Sequence, residues 1–194
     1  MSRTKVKQNL IDASFGNITE QIVYYADGKT VTTSAGNFTA PNITAITAVT
    51  SSSFVENTGC AVSYTPPAGT TKVYYEAAIQ LRYYSPTSDT HISPSYYVTL
   101  DNTLITQTKR TQLQQYTYEM NVSPQAVINI DGTDSIATGQ VASWTSARTF
   151  KVFMSGYGTG NYRYYMNGVY HYAGGGGSGV EFVSPPVIKI TAYS

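Results

Sequence analysis

The residues that could do chemistry in this chain are few and scattered. Its 194 residues include two histidines, His91 and His171, and one cysteine, Cys60. A zinc site is recognised by His and Cys at short fixed spacings such as C-x-x-C, and the chain has no such motif. An isolated cysteine without a local signature is typical of a small buried apolar side chain rather than a nucleophile. We therefore expect no metal centre, no cofactor site and no catalytic thiol.

The carboxylates allow two further hypotheses. Asp131 and Asp134 flank a glycine as in part of a calcium loop, but the alternating acidic pattern and the closing glutamate are missing, so a turn explains them as well. Glu76, Glu119 and Glu181 could converge in space as the paired carboxylates of a glycoside hydrolase. With only 11 acidic residues and no motif, we expect a protein that is not an enzyme, and converging carboxylates in a cleft would contradict this.

The stretch at 156–179, GYGTGNYRYYMNGVYHYAGGGGSG, is rich in glycine and tyrosine. A phosphate-binding loop would need a strand before it, a helix after it and usually a lysine. Here strands are predicted on both sides. The dipeptide Asn167-Gly168 favours a type I′ turn, so we predict a hairpin that joins residues 162–166 to residues 169–172.

Composition limits the partners. The net charge is +1, charged residues make up 12% of the chain where about 25% is usual, and no run of Lys or Arg exceeds two. Nucleic-acid binding therefore lacks its electrostatic basis.

There is no apolar run long enough for a signal peptide or a membrane span, so we predict synthesis in a host cytoplasm. A neutral Tyr/Ser/Thr/Gly surface is nevertheless typical outside cells, and a virion protein released by lysis would reconcile both observations; an ordinary intracellular β protein is the alternative.

Alternating side chains indicate that most of the chain is β-structure. From Tyr24 onward the period is two, as along strands with one buried face. Predicted strands recur about every 8–12 residues without a helix-length break, which favours an all-β jelly-roll sandwich. In KVYYEAAIQLRYY the predicted buried face comprises Val73, Tyr75, Ala77, Ile79, Leu81 and Tyr83, and the opposite face comprises Tyr74, Glu76, Gln80 and Arg82.

Turn-forming pairs predict further hairpins. Asp27-Gly28 lies between the extended runs of VYYADGKTVTT, and Asp101-Asn102 divides YYVTLDNTLITQT. Both pairs are typical of tight turns between antiparallel strands.

The first 25 residues have a different pattern. Asn17 and Glu20 resemble a capping box, and apolar residues recur at spacings of three to five, so one or two short helical turns are expected in a partly helical or extended arm. Arg3, Lys5 and Lys7 precede any acid. We assign residues 1–50 to a docking arm with lead-in strands and residues 51–194 to the jelly roll. The apolar positions are Val6, Leu10, Ile11, Phe15, Ile18 and Ile22.

The tyrosines around Asn167 fall on both faces of their predicted strands. One row therefore cannot enter the protomer's own core. Tyrosine combines a large ring with a hydroxyl, which suits a subunit interface or a sugar-binding face. We favour an interface, although any single exposed tyrosine is also explained by β-propensity.

Two segments carry a family resemblance. CAVSYTPPAGTTKVYYEAAIQLRYY, and the chain end with YRYYMNGVYHY and FVSPPVIKITAY, resemble the trimeric, tumour-necrosis-factor-like jelly-roll heads of phage and algal-virus structural proteins. The resemblance covers roughly residues 55–194. It implies a non-enzymatic homotrimer packed around a threefold axis. The matching interface positions would be Tyr162, Tyr164, Tyr170, Tyr172 and Tyr193.

Members of such a class serve as host-binding fibre tips or as decoration proteins that clamp shells. Fewer than about 55 residues precede the resemblance here, which is short for an attachment domain and a shaft. We therefore predict a trimeric capsid decoration (cement) protein that docks on a major capsid protein. A receptor-binding tip that contacts host surface glycans and a monomeric carbohydrate-binding module are the alternatives. The predicted docking residues are Arg3, Lys5, Lys7, Leu10, Ile11 and Phe15.

Overall fold

The alternating pattern folds into two packed β-sheets with no α-helix in the part of the chain described. The structure is a computed structural model that describes residues 16–49, 52–84, 91–92, 94–112, 114–115, 119–156, 163–171 and 180–194. Two short 3-10 helices occur, at Thr106–Thr108 and Ile136–Thr138. The strands are β1 (Ile18–Tyr25), β2 (Thr30–Thr33), β3 (Gly36–Thr39), β4 (Thr47–Val49), β5 (Val55–Tyr64), β6 (Lys72–Tyr84), β7 (His91–Ile92), β8 (Ser95–Leu100), β9 (Thr103–Leu104), β10 (Arg110–Thr111), β11 (Gln114–Gln115), β12 (Glu119–Val122), β13 (Gln125–Ile130), β14 (Gln140–Val141), β15 (Arg148–Ser155), β16 (Arg163–Met166), β17 (Gly168–His171), β18 (Val180–Val183) and β19 (Val187–Tyr193).

The larger sheet is organised around β6. Its strand order is β1-β19-β6-β13-β14, and β12 and β16 pair with the distal half of β6, while β4 pairs with β16. The smaller sheet has the order β10-β8-β15-β5, with β9 beside β8. Three two-stranded ribbons, β2-β3, β7-β11 and β17-β18, complete the described pairing. The all-β sandwich expected from the sequence is thus present.

The core lies between the two sheets, and β6 confirms its predicted buried face from Val73 to Leu81. Arg82, predicted on the opposite face, is also buried, and the Tyr83 side chain is not described. Tyr75, Ile79 and Leu81 are at most 1% exposed, whereas Glu76 is half-buried and Gln80 is exposed on the opposite face. From the smaller sheet Phe150 packs against β6, and its ring stacks on that of Tyr75 with centroids 4.6 Å apart. Burial of these side chains on both sheets is the main favourable contribution to folding.

Two of the buried tyrosines are accommodated because their hydroxyls find acceptors. Tyr75 Oη donates to the carbonyl oxygen of Cys60 at 2.7 Å, and Tyr64 Oη donates to Glu20 Oε2 at 2.7 Å. Cys60 itself is fully buried, as predicted for an apolar role. Burial raises the pKa of the Cys60 thiol and of the Tyr75 phenol well above their ordinary values. The Cys60 thiol and the Tyr75 phenol are therefore neutral in the folded protein at neutral pH.

From the buried tyrosines we predict that the protein unfolds at alkaline pH. Burial raises the folded-state pKa of Tyr24, Tyr64 and Tyr75 above the unfolded value of about 10, and a hydrogen bond to Glu20 adds to the effect at Tyr64. Their contribution to stability is therefore fully present below about pH 10 and is lost as the pH rises further. We expect tyrosinate absorbance and loss of near-ultraviolet circular dichroism to change together in one cooperative step. Ionisation of all tyrosines with an intact dichroism spectrum would contradict the prediction.

The predicted helical turns across Ile18 and Ile22 are wrong. Residues 18–25 form an edge strand that pairs with β19, and Ile22 is buried while Ile18 is exposed. Glu20 does not cap a helix: its carboxylate accepts hydrogen bonds from the Ser34 amide and the Tyr64 hydroxyl. Spacings of three to five can arise in a strand when a bulge shifts its register, and β1 has a register shift near residues 18–20.

The predicted hairpins have mixed outcomes. Asp101-Asn102 forms a tight turn between β8 and β9, with both φ angles positive at 49° and 63°, as predicted. Asp27-Gly28 does not join a hairpin, because β1 pairs with β19 and β2 pairs with β3 through a turn at residues 34–35. The predicted hairpin at Asn167-Gly168 is also wrong, since β16 pairs with β4 and β6, whereas β17 pairs with β18.

Candidate functional site

The carboxylates considered for glycoside hydrolysis do not come together where they are described. Glu76 and Glu119 both lie on the larger sheet, but Glu119 is opposite Arg82, six residues beyond Glu76 along β6. At about 3.3 Å per residue their backbone positions are about 20 Å apart, well beyond the separation of up to about 9.5 Å used by glycosidases. Glu76 instead accepts a hydrogen bond from Gln125. The position of the Glu181 side chain lies outside the described structure.

Metal-ligating side chains are also dispersed. Among the residues described, no three His, Cys, Asp or Glu side chains are grouped so that they could hold an ion. Asp131 accepts hydrogen bonds from the Thr133 amide and from Gln140. These bonds belong to a turn, the alternative to a calcium loop that the sequence offered. His91 and His171 lie in β7 and β17, and their side chains are not described.

The most prominent candidate surface is the outer face of the larger sheet. Tyr25, Val187 and Ala78 are register neighbours on β1, β19 and β6, and Val23 lies two residues from Tyr25 on the same face of β1. We call these four residues the apolar strip. Tyr25 is 60% exposed and Val23 is 58% exposed. Exposed apolar patches rimmed by polar groups mark interaction surfaces, so this face is the candidate functional site.

Polar and aromatic groups border the apolar strip. Lys189 lies opposite Val23 and places its ammonium 5.9 Å from the centre of the Tyr74 ring. Gln21 donates a hydrogen bond to Thr191 at 3.2 Å, and Thr191 is fully buried beneath its neighbours. Burial also raises the pKa of the Tyr74 phenol. The rim therefore combines the charge of Lys189 with aromatic and hydrogen-bonding side chains.

The predicted interface tyrosines are not a single row. Tyr164 is 3% exposed and belongs to the protomer's own core. Tyr193 is half-buried on β19, at a position that alternation places on the outer face of the larger sheet. Tyr170 lies in β17, but its side chain is not described, and Tyr162 and Tyr172 lie outside the described residues.

The sequence did not identify Val23 and Tyr25 as surface residues. Their alternation with the buried Ile22 and Tyr24 was the available signal, but it was obscured by the helical interpretation of the same segment. The predicted docking residues all lie outside the described part of the chain: Arg3, Lys5, Lys7, Leu10, Ile11 and Phe15. The described residues contain no helix of the length and hydropathy needed to cross a membrane.

The fold defines the class as an all-β sandwich, and comparison with known proteins gives distant structural neighbours. No protein-family model matches the chain, and no curated protein matches it by sequence. Solved structures with similarity include T=1 particles derived from infectious bursal virus, with a TM-score of 0.41 and 10% identity over 91% of this chain and 33% of that chain. The VP2 subviral particle of infectious bursal disease virus matches with a TM-score of 0.40 and 10% identity over 91% of this chain and 34% of that one.

Both neighbours are therefore proteins of virus particles, and this chain spans about a third of their length. The finer resemblance to tumour-necrosis-factor-like trimeric heads stays a prediction.

Proposed function

We propose that this chain is a virion structural protein, a trimeric decoration protein that docks on a viral shell and stabilises it. The observation that carries the proposal is the exposed apolar strip on a sheet of low charge. Burying such a face against another protein is favourable, and the gain must exceed the cost of desolvating Lys189 and Glu76, which lie beside the strip. Glu76 and Glu119, by contrast, are too far apart for glycoside hydrolysis.

The outer face of the larger sheet suits self-association. It offers the rings of Tyr25, Tyr74 and Tyr193 beside Val23, which is the mixture of aromatic and aliphatic groups enriched at subunit interfaces. Tyrosine hydroxyls can also satisfy hydrogen bonds at the rim of an interface. In the proposed trimer this face is turned towards the threefold axis.

The point at which the N-terminal arm leaves the sandwich supports the docking role. The Asn17 amide donates to the Ser194 carbonyl oxygen at 3.2 Å, and the Ser194 amide donates to the Asn17 carbonyl oxygen at 2.9 Å. The arm therefore leaves from the edge strand that also carries the apolar strip. In a trimer built through this face, three basic arms would emerge near one another, so that weak individual contacts with the shell combine through effective concentration.

The oligomeric state tests the trimer. Light scattering should give a mass near three times 21.1 kDa for the wild-type chain. Val23→Glu places a carboxylate within the apolar strip and should shift the mass to that of one chain. Val55→Glu is the matched control, because Val55 is an exposed strand valine on the smaller sheet and is not part of the proposed interface. A wild-type monomer, or equal dissociation by both substitutions, would contradict the proposal.

Shell binding tests the docking role separately. The triple variant Arg3→Glu, Lys5→Glu and Lys7→Glu reverses the arm's charge without touching the described sandwich and should remain a trimer. We expect it to lose co-sedimentation with viral shells. Lys29→Glu, at an exposed lysine that is not one of the predicted docking residues, is the control and should bind as the wild type does. Undiminished binding of the triple variant would contradict docking through the arm.

A further inference from the structure

A second candidate surface lies at the end of the smaller sheet. The strands that form it are not those that carry the apolar strip. A cleft of about 210 Å³ opens where β8 begins beside β10 and the chain enters β5. Its walls combine aromatic rings, hydroxyls and two cations. The lining residues are Phe54, Ser95, Tyr96, Lys109, Arg110 and Thr111.

The two cations of this cleft differ from three other cationic side chains described, Lys29, Arg148 and Lys151. Neither Lys109 nor Arg110 forms a salt bridge within the described structure, whereas Lys29, Arg148 and Lys151 each have an acidic partner. Lys109 and Arg110 are also adjacent in the chain and both exposed. Two neighbouring positive charges without a counter-charge favour an anionic ligand.

The arginine is already oriented. Its Nη1 donates to the carbonyl oxygens of Gln107 at 2.7 Å and of Lys109 at 2.8 Å. These bonds hold the guanidinium in place and leave its other nitrogens available to a carboxylate or sulfate. A guanidinium held in this way binds a planar carboxylate at a low entropic cost.

An aromatic platform stands beside the cations. The Phe54 ring is 41% exposed and lies 4.6 Å from the Tyr97 ring, which in turn stacks on Phe153 at 5.3 Å. This row keeps the exposed phenyl group in position. Beside it, the hydroxyls of Ser95 and Thr111 lie 2.8 Å apart and offer hydrogen bonds to a polar ligand.

We propose that this cleft binds an acidic carbohydrate, a sugar that carries a carboxylate or sulfate group. Phe54 would contact the apolar face of the sugar ring, the Ser95 and Thr111 hydroxyls would contact its hydroxyls, and Lys109 with Arg110 would bind its anionic group. A simple inorganic anion would use the cations but not the platform, and a neutral sugar would use the platform but not the cations. The inference does not rest on the virion role or on the trimer.

The test compares three kinds of probe on the full-length protein. Calorimetry and saturation-transfer NMR would measure binding of sialyllactose, a uronate oligosaccharide and a sulfated disaccharide, with lactose as the neutral sugar and sodium sulfate as the simple anion. We expect at least one acidic sugar to bind about tenfold or more tightly than lactose and sulfate. Its affinity should fall as salt is added, because the cations are exposed.

Three substitutions locate the binding. Arg110→Gln should weaken binding of the acidic sugar at least about tenfold, since it removes a charge-assisted pair. Phe54→Ala should also weaken it, while Lys29→Gln, a matched loss of charge outside the cleft, should leave it unchanged. Circular dichroism would confirm that each variant is folded. Failure of every acidic sugar to bind at millimolar concentration, equal binding of sulfate alone, or full binding by Arg110→Gln would overturn the proposal.

Discussion

Phe150→Ala is expected to lower the free energy of unfolding by about 3–5 kcal/mol, the range found when a buried phenylalanine is truncated. Phe150 is fully buried on β15. Its ring stacks on Tyr75 at an interplanar angle of 15° and lies 5.7 Å from the Trp144 ring, so it joins the two sheets at the centre of the core. Urea denaturation followed by tryptophan fluorescence would measure the change, since Trp144 is the only tryptophan in the chain.

Phe182→Ala provides the control for this experiment. Phe182 lies in β18 and is 51% exposed, so the same truncation removes little buried surface. We expect a change of less than about 1 kcal/mol there. Equal effects at the two positions would mean that the described sandwich does not place the core between β6 and β15.

The second large effect is expected at Asn167, where backbone and side chain both matter. Asn167 is 2% exposed and has a φ of 63°. Its amide exchanges two hydrogen bonds with that of Asn57, at 3.0 and 3.1 Å. Asn167→Gly keeps the backbone relaxed but leaves the buried Asn57 amide without its partner, at a cost of about 1–3 kcal/mol. Asn167→Ala should cost about 1–2 kcal/mol more, because alanine is strained at positive φ.

A double-mutant cycle checks the assignment. Asn57→Ala alone should destabilise the protein, both by orphaning Asn167 and by removing the acceptor of the Gly59 amide at 3.1 Å. Combining it with Asn167→Gly should cost less than the sum of the two single changes. The double variant lacks both side-chain amides, so no buried amide is left without a hydrogen-bond partner. Additive effects, or an alanine variant as stable as the glycine variant, would contradict the proposed roles of the pair and of the positive φ.

The sequence predicted the local structure of β6 well and the pairing of other strands poorly. Alternation reports which side chains face the core, so Tyr75 and Ile79 could be placed on the buried face without knowledge of a partner. A turn signal reports only that the chain bends. Asn167-Gly168 and Asp101-Asn102 carry similar signals, yet only the latter joins two paired strands. The reason is that β16 pairs with β4 and β6, which lie far away in sequence, while β17 pairs with the next strand, β18.

The candidate surfaces were predictable only in part. Tyrosine content indicated an interaction surface, but it did not distinguish Tyr164 in the core from Tyr25 on the outside, since strands place the same residue type on both faces. The acidic-sugar cleft could not be predicted. Phe54 and Arg110 are more than fifty residues apart in sequence, and only the order of the strands in the smaller sheet brings them together.

The position of β19 in the larger sheet has a consequence for biosynthesis. This strand lies between β1 and β6, so the earliest described strand cannot join the sheet until residues 187–193 have left the ribosome. Until then Ile22, Tyr24 and one edge of β6 lack their partners, and the nascent chain exposes apolar strand edges of the kind that aggregate. Pairing of such distant segments is also slow. Folding of the larger sheet therefore waits for β19, and chaperone protection until that strand is available would raise the yield of native protein.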